Sequence, residues 1–93
     1  SYLDKVSRDI IDEAGYGEFF QHSLGRGIGL VRNEMPIVRF NREDQIIPEK
    51  AVLAIEPGIY IPDKFGIRIQ DNMYVTRNGG DHVSNAPEEL PVL

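Results

Sequence analysis

Near the N-terminus the apolar residues Leu3, Val6, Ile10, Ile11 and Ala14 recur at helical spacing, and Asp4, Lys5, Arg8, Asp9, Asp12 and Glu13 fill the other face. That pattern predicts an amphipathic helix over residues 2–14. Gly15 is its natural C-terminal cap, because helices commonly end on a residue in the left-handed conformation. From Gly15 onward the pattern changes: all nine glycines and all six prolines lie there, and the apolar runs shorten to strand length. Strands are expected over 38–40, 52–55, 59–61, 67–70 and 73–76. Turns are expected at Gly25-Arg-Gly-Ile-Gly, Glu56-Pro-Gly, Pro62-Asp-Lys-Phe-Gly and Asn78-Gly-Gly. Strands this close together pair antiparallel, since a parallel crossover takes about a dozen residues or more. The expected class is α+β, one N-terminal helix followed by an antiparallel sheet. The tail over 85–93, with two prolines, reads as extended.

Ninety-three residues make one small domain, 1–93, too short for a large two-domain enzyme. No apolar run approaches the ~20 residues of a membrane span, and the first residues lack the pattern of a secretory leader. A soluble, cytoplasmic protein without membrane contact is the expectation. With no cysteine, the chain folds without disulfides, and any metal site must use His, Asp and Glu. Fifteen acidic against ten basic side chains give a net charge of −5, which argues against nucleic acid as a partner. The chain opens on Ser1, without Met and directly inside the helical pattern, so a segment of something longer is expected.

Three stretches carry candidate chemistry. Gly25-x-Gly27-x-Gly29 invites a phosphate-cradle reading, but it lacks both the dinucleotide fingerprint and the Gly-Lys-Ser/Thr of a P-loop, so tight backbone turns are the better reading. His22 opens the run His22-Ser-Leu-Gly-Arg26-Gly-Ile-Gly-Leu-Val-Arg-Asn33-Glu34-Met-Pro36. Glu56 ends an apolar run just before Pro-Gly in Ala54-Ile-Glu56-Pro-Gly-Ile-Tyr60, a plausible ligand position, and Gly66-Ile-Arg68-Ile-Gln70-Asp-Asn follows. Each has a plainer alternative: His22 hydrogen-bonded within the Gly-rich turn, Arg68 on the polar face of a strand, Tyr60 in the core. His82 reads as a solvated turn residue, and Met73, Tyr74 and Val75 as strand packing.

In this order, together with Val75-Thr-x-x-Gly and Ala86-Pro-Glu-Glu-Leu90, these stretches resemble the pita-bread metallopeptidases over about Gly15 to Leu90. That family includes methionine aminopeptidase, Xaa-Pro aminopeptidase, prolidase and creatinase, and the motifs look most like the prolidase branch. The resemblance implies the C-terminal half of a pita-bread catalytic domain. It also implies a family centre in which two divalent ions (Mn, Co or Zn), held by two Asp, one His and two Glu, share a bridging water. The two Asp would lie on strands upstream of this helix. The His ligand position carries Arg26, the position of a substrate-contacting His carries Asn33 beside matching Glu34 and Pro36, and the last Glu position carries Gln70. Glu56 alone retains its ligand type. The degenerate site thus comprises His22, Arg26, Asn33, Glu34, Arg68 and Gln70, with Glu56 the one residue left to touch a metal, and no cofactor is expected for this chain.

A guanidinium has no lone pair to offer a metal and stays cationic. The expectation is that Arg26 takes roughly the place of a metal ion and pairs with Glu56, while Gln70 removes a carboxylate and offsets the missing charge. Three functional readings follow: a prolidase-like fragment without peptidase activity, a binding module that reuses the cleft for a peptide or protein, and an Xaa-Pro peptidase active in the full-length protein. The partners expected are the upstream half of the same domain, a second copy of the chain, or a peptide.

Overall fold

The computed structural model describes residues 2–31, 34–41, 46–85, 87 and 89. Asn33 and most of the 85–93 tail lie outside them. The chain runs through helix α1 (Tyr2–Glu13), a short 3-10 turn (Gly17–Phe19), and strands β1 (Gly25–Gly27), β2 (Glu34–Val38), β3 (Val52–Ile55), β4 (Gly58–Ile61), β5 (Phe65–Arg68), β6 (Asp71–Thr76) and β7 (Gly79–His82). The class is α+β. Five strands form an antiparallel sheet in the order β2-β1-β3-β6-β7, and β4 and β5 form a separate hairpin. No helix among the described residues is long and apolar enough to cross a membrane.

The helix ends as its sequence demands. Gly15 has φ +91°, Gly15 N–H donates to the Asp12 carbonyl at 2.9 Å, and Tyr16 N–H reaches back to Ile11 at 3.1 Å. This is the two-bond glycine cap. Its orientation is unexpected, because α1 docks on its charged side. Asp4 is fully buried, whereas Leu3 is 39% exposed, Val6 41% and Ile10 64%. The buried carboxylate is satisfied by Arg8, whose Nε donates at 2.9 Å and Nη2 at 3.3 Å, and by Leu24 N–H at 3.3 Å. Arg8 then donates to the carbonyls of Phe20 at 2.7 Å and His22 at 3.0 Å, with its guanidinium 4.1 Å over the Phe20 ring. A buried ion pair with both carboxylate oxygens hydrogen-bonded holds the helix to the segment entering β1.

The expected turn at Gly25-Arg-Gly is a strand. β1 lies between β2 and β3, and both glycines are there for close approach: a Cβ on Gly25 would stand 2.2 Å from the Ala54 carbonyl oxygen, and one on Gly27 2.3 Å from that of Met35. The expected strand at 38–40 is displaced to Glu34–Val38, whose register against β1 slips around Met35 and Pro36. Proline, having no N–H, is tolerated at such an irregularity. Phe65 and Gly66 belong to β5 and Gly79 to β7, where turns were expected. His82 also corrects its reading as a turn residue: it sits on β7 and pairs with Asp71.

Phe20, Leu24, Val38 and Leu53 form the core, with Ile11, Ile47, Ala51, Ile55 and Val75 packed against it. Because side chains alternate along a strand, the register assigns the two faces of the sheet. Gly25 and Gly27 share one face with Ile55 and Leu53, whereas Arg26 shares the other with Ala54 and Ile37. Beside the core, Leu3, Ile47, Ile55, Ile69, Met73 and Val75 line an open apolar groove of about 710 Å³.

Candidate functional site

On the face that carries Arg26, the register sets up the main contact. Arg26 stands opposite Ala54, so Glu56, two residues further on, is its diagonal neighbour on the same face. The end of β3 is fixed by Glu56 N–H donating to the Leu24 carbonyl at 2.7 Å. Arg26 Nη1 donates to Glu56 Oε1, and both side chains are only 18% exposed. A charge-assisted pair so shielded from water is held more tightly than a surface pair.

His22, Ser23, Gly25, Arg26, Ile37, Glu56 and Arg68 line one cavity of about 480 Å³ at this pair. His22 Nδ1 lies 2.8 Å from the Ser23 carbonyl, an acceptor only, so Nδ1 carries a proton. Nε2 lies 2.8 Å from the Tyr60 hydroxyl. In the neutral ring Nε2 accepts that hydroxyl's hydrogen. Gly58 makes room for the contact: a Cβ there would meet Tyr60 Oη at 2.4 Å and His22 Nε2 at 3.0 Å. Tyr60 is 40% exposed, so it is no core residue. Arg68 arrives on the β4–β5 hairpin, in register with Gly58, which follows Glu56 by two residues. It joins no ion pair among the described residues.

His22, Arg26, Glu56 and Arg68 are therefore brought together, whereas Glu34 and Gln70 are not, and Asn33 lies outside the described residues. Glu34 folds back on its own loop, accepting from Val31 N–H at 3.1 Å. Gln70 borders the apolar groove instead of the cavity. Among the described residues no group of three or more His, Asp or Glu is placed to hold a metal ion. Two features escaped the sequence reading. Arg8 and Asp4 reach the site through the His22 carbonyl; their i,i+4 spacing was the available signal. Asp71, His82 and Ser84 form a second cluster, with His82 Nδ1 2.6 Å from Asp71 Oδ2 and Ser84 Oγ donating to Oδ1 at 3.0 Å. Those contacts, His82 first and Ser84 second, hold the Asp71 carboxyl below its ordinary value of 3.8.

The model of metallopeptidase family M24 matches residues 1–77. The chain is 46% identical over 88 residues to an Xaa-Pro dipeptidase of Pyrococcus horikoshii, covering 95% of this chain and 25% of that protein. It is 45% identical over 93 residues to an Xaa-Pro dipeptidase of Lactobacillus delbrueckii subsp. lactis, covering 100% and 25%. The structure superposes on the Xaa-Pro dipeptidase of Bacillus anthracis with a TM-score of 0.92 at 44% identity, over 97% of this chain and 25% of that one. Against the prolidase of Pyrococcus horikoshii the TM-score is 0.90 at 46% identity, over 97% and 26%. The chain thus spans about a quarter of the length of the relatives it matches. It belongs to metallopeptidase family M24, with the fold of the corresponding quarter of the pita-bread prolidases.

Proposed function

We propose that this chain is the C-terminal part of a prolidase-like catalytic domain whose metal centre has been replaced by the protein's own cation, leaving it without peptidase activity. The observation that carries this reading is the Arg26–Glu56 ion pair. The family resemblance puts a His ligand at position 26. A guanidinium there has no lone pair to give, and it engages the only retained ligand, Glu56. The donor set does not fit a two-metal centre: of the three ligand positions that the resemblance places in this chain, one holds the cationic Arg26 and another the neutral Gln70, and Glu56 alone keeps a carboxylate. We assign the open apolar groove to the remainder of the catalytic domain, since the relatives are about four times as long as this chain.

The test is hydrolysis of Xaa-Pro dipeptides by the full-length protein with Mn²⁺ or Co²⁺, alongside a calorimetric titration of each metal. No turnover and no stoichiometric uptake are expected. Metal-dependent turnover that disappears in Glu56→Ala would establish the competing reading, an active Xaa-Pro peptidase, and overturn this one.

A further inference from the structure

Two residues of the cavity are held from a helix that does not line it. Asp4 and Arg8 stand on α1, and neither is part of the wall at the Arg26–Glu56 pair. A pair that only fastened the helix would be complete with the Asp4 carboxylate buried against Arg8. The guanidinium goes further and donates to the carbonyls of Phe20 at 2.7 Å and His22 at 3.0 Å. Phe20 has extended backbone, φ −103° and ψ 92°, and in an extended segment groups two residues apart point the same way. Holding both carbonyls on one planar group therefore fixes the direction in which the His22 side chain leaves the backbone. The Phe20 ring, 4.1 Å from the same guanidinium, meets the His22 ring edge-on at 5.2 Å between centroids.

Asp4 extends the same control to the end of β3. Leu24 N–H donates to Asp4 Oδ2 at 3.3 Å, and the Leu24 carbonyl accepts from Glu56 N–H at 2.7 Å. Leu24 thus ties the backbone that carries Glu56 to a buried carboxylate on the helix. We propose that Asp4 and Arg8 are positioning residues of the cavity, setting from α1 both the orientation of the His22 ring and the placement of Glu56. The planar fork is essential to this, because a lysine ammonium is a point charge on a flexible stem and cannot hold the carboxylate and two carbonyls in one fixed array. The inference goes beyond the reading of the Arg26–Glu56 pair and does not depend on it: its contacts lie within residues 4–24 and at the Glu56 backbone, and involve neither Arg26 nor a metal.

The experiment compares the ¹⁵N-labelled full-length protein with its Arg8→Lys and Ile11→Ala variants by two readouts: the His22 imidazole ¹⁵N signals, and the Arg26–Glu56 coupling from a double-mutant cycle in each background. In the neutral parent ring Nδ1 carries the proton and Nε2 accepts from Tyr60, so the two nitrogens give separate signals. In Arg8→Lys these signals are expected to move toward each other, as the loosened ring samples both tautomers, and the coupling to fall by about half. Ile11→Ala removes core packing without touching the network and is expected to leave both readouts as in the parent. Parent-like readouts in Arg8→Lys, or the same changes in Ile11→Ala, overturn the proposal, because the pair would then only stabilise the fold. If Arg8→Lys does not fold, deuterium exchange in the parent decides: the amides of Leu24 and Glu56 are expected to exchange at one common slow rate, and much faster exchange at Glu56 overturns the proposal. Absence of coupling in the parent itself contradicts the reading of the Arg26–Glu56 pair and leaves the His22 signals to decide this inference.

Discussion

A carboxylate with no exposed surface, on a helix whose spacing calls for it to face water, sets the terms at the scale of single residues. Asp4 is buried because Arg8, four residues on, can reach both it and two backbone carbonyls, a partnership that a wheel of apolar positions cannot display. Breaking a buried pair leaves an uncompensated charge, so Asp4→Ala should cost about 3–5 kcal/mol in urea unfolding. At Gly58 a Cβ would collide with the Tyr60 hydroxyl and displace it from His22. Gly58→Ala should therefore loosen the His22 ring, read as a changed imidazole ¹⁵N spectrum, whereas an unchanged spectrum would show that the contact does not order it. Asp71 gives the pH dependence. Its folded-state pKa lies below the ordinary 3.8, so the stability it contributes is fully present above that value and is lost as pH falls through the depressed one. Asp71→Asn should flatten that acid limb, as measured by the denaturation midpoint against pH.

Two elements show what the pattern of residues could and could not convey. The extent of α1 and its glycine cap were legible, because helical spacing and a left-handed glycine are local signals. Its rotation was not: the Leu3, Val6 and Ile10 stripe looks like a core-facing surface, yet Asp4 and Ile11 face the sheet. Neighbouring residues separate the two faces. Ile11→Ala should cost about 1–3 kcal/mol, and Ile10→Ala less than about 0.5, in the same unfolding experiment. β1 shows the converse. Glycines at alternate positions look like a turn, and only the proximity of the Ala54 and Met35 carbonyls reveals that they allow a central strand to sit between two neighbours.

Over the whole molecule, the candidate site was legible to the extent that motif order carries it. His22, Arg26, Glu56 and Arg68 do converge on one cavity. Gln70 was grouped with them because the resemblance puts the last Glu ligand at its position, but β5 ends at Arg68, and Gln70 borders the apolar groove. Among the described residues, the ion pair that compensates Glu56 is the one with Arg26. The most direct test of that claim is a double-mutant cycle on the unfolding free energy with Arg26→Met and Glu56→Gln. The account predicts a coupling of about 1–3 kcal/mol, with the double variant recovering part of what each single loses. Strictly additive losses would contradict it, because Glu56 would then owe nothing to Arg26.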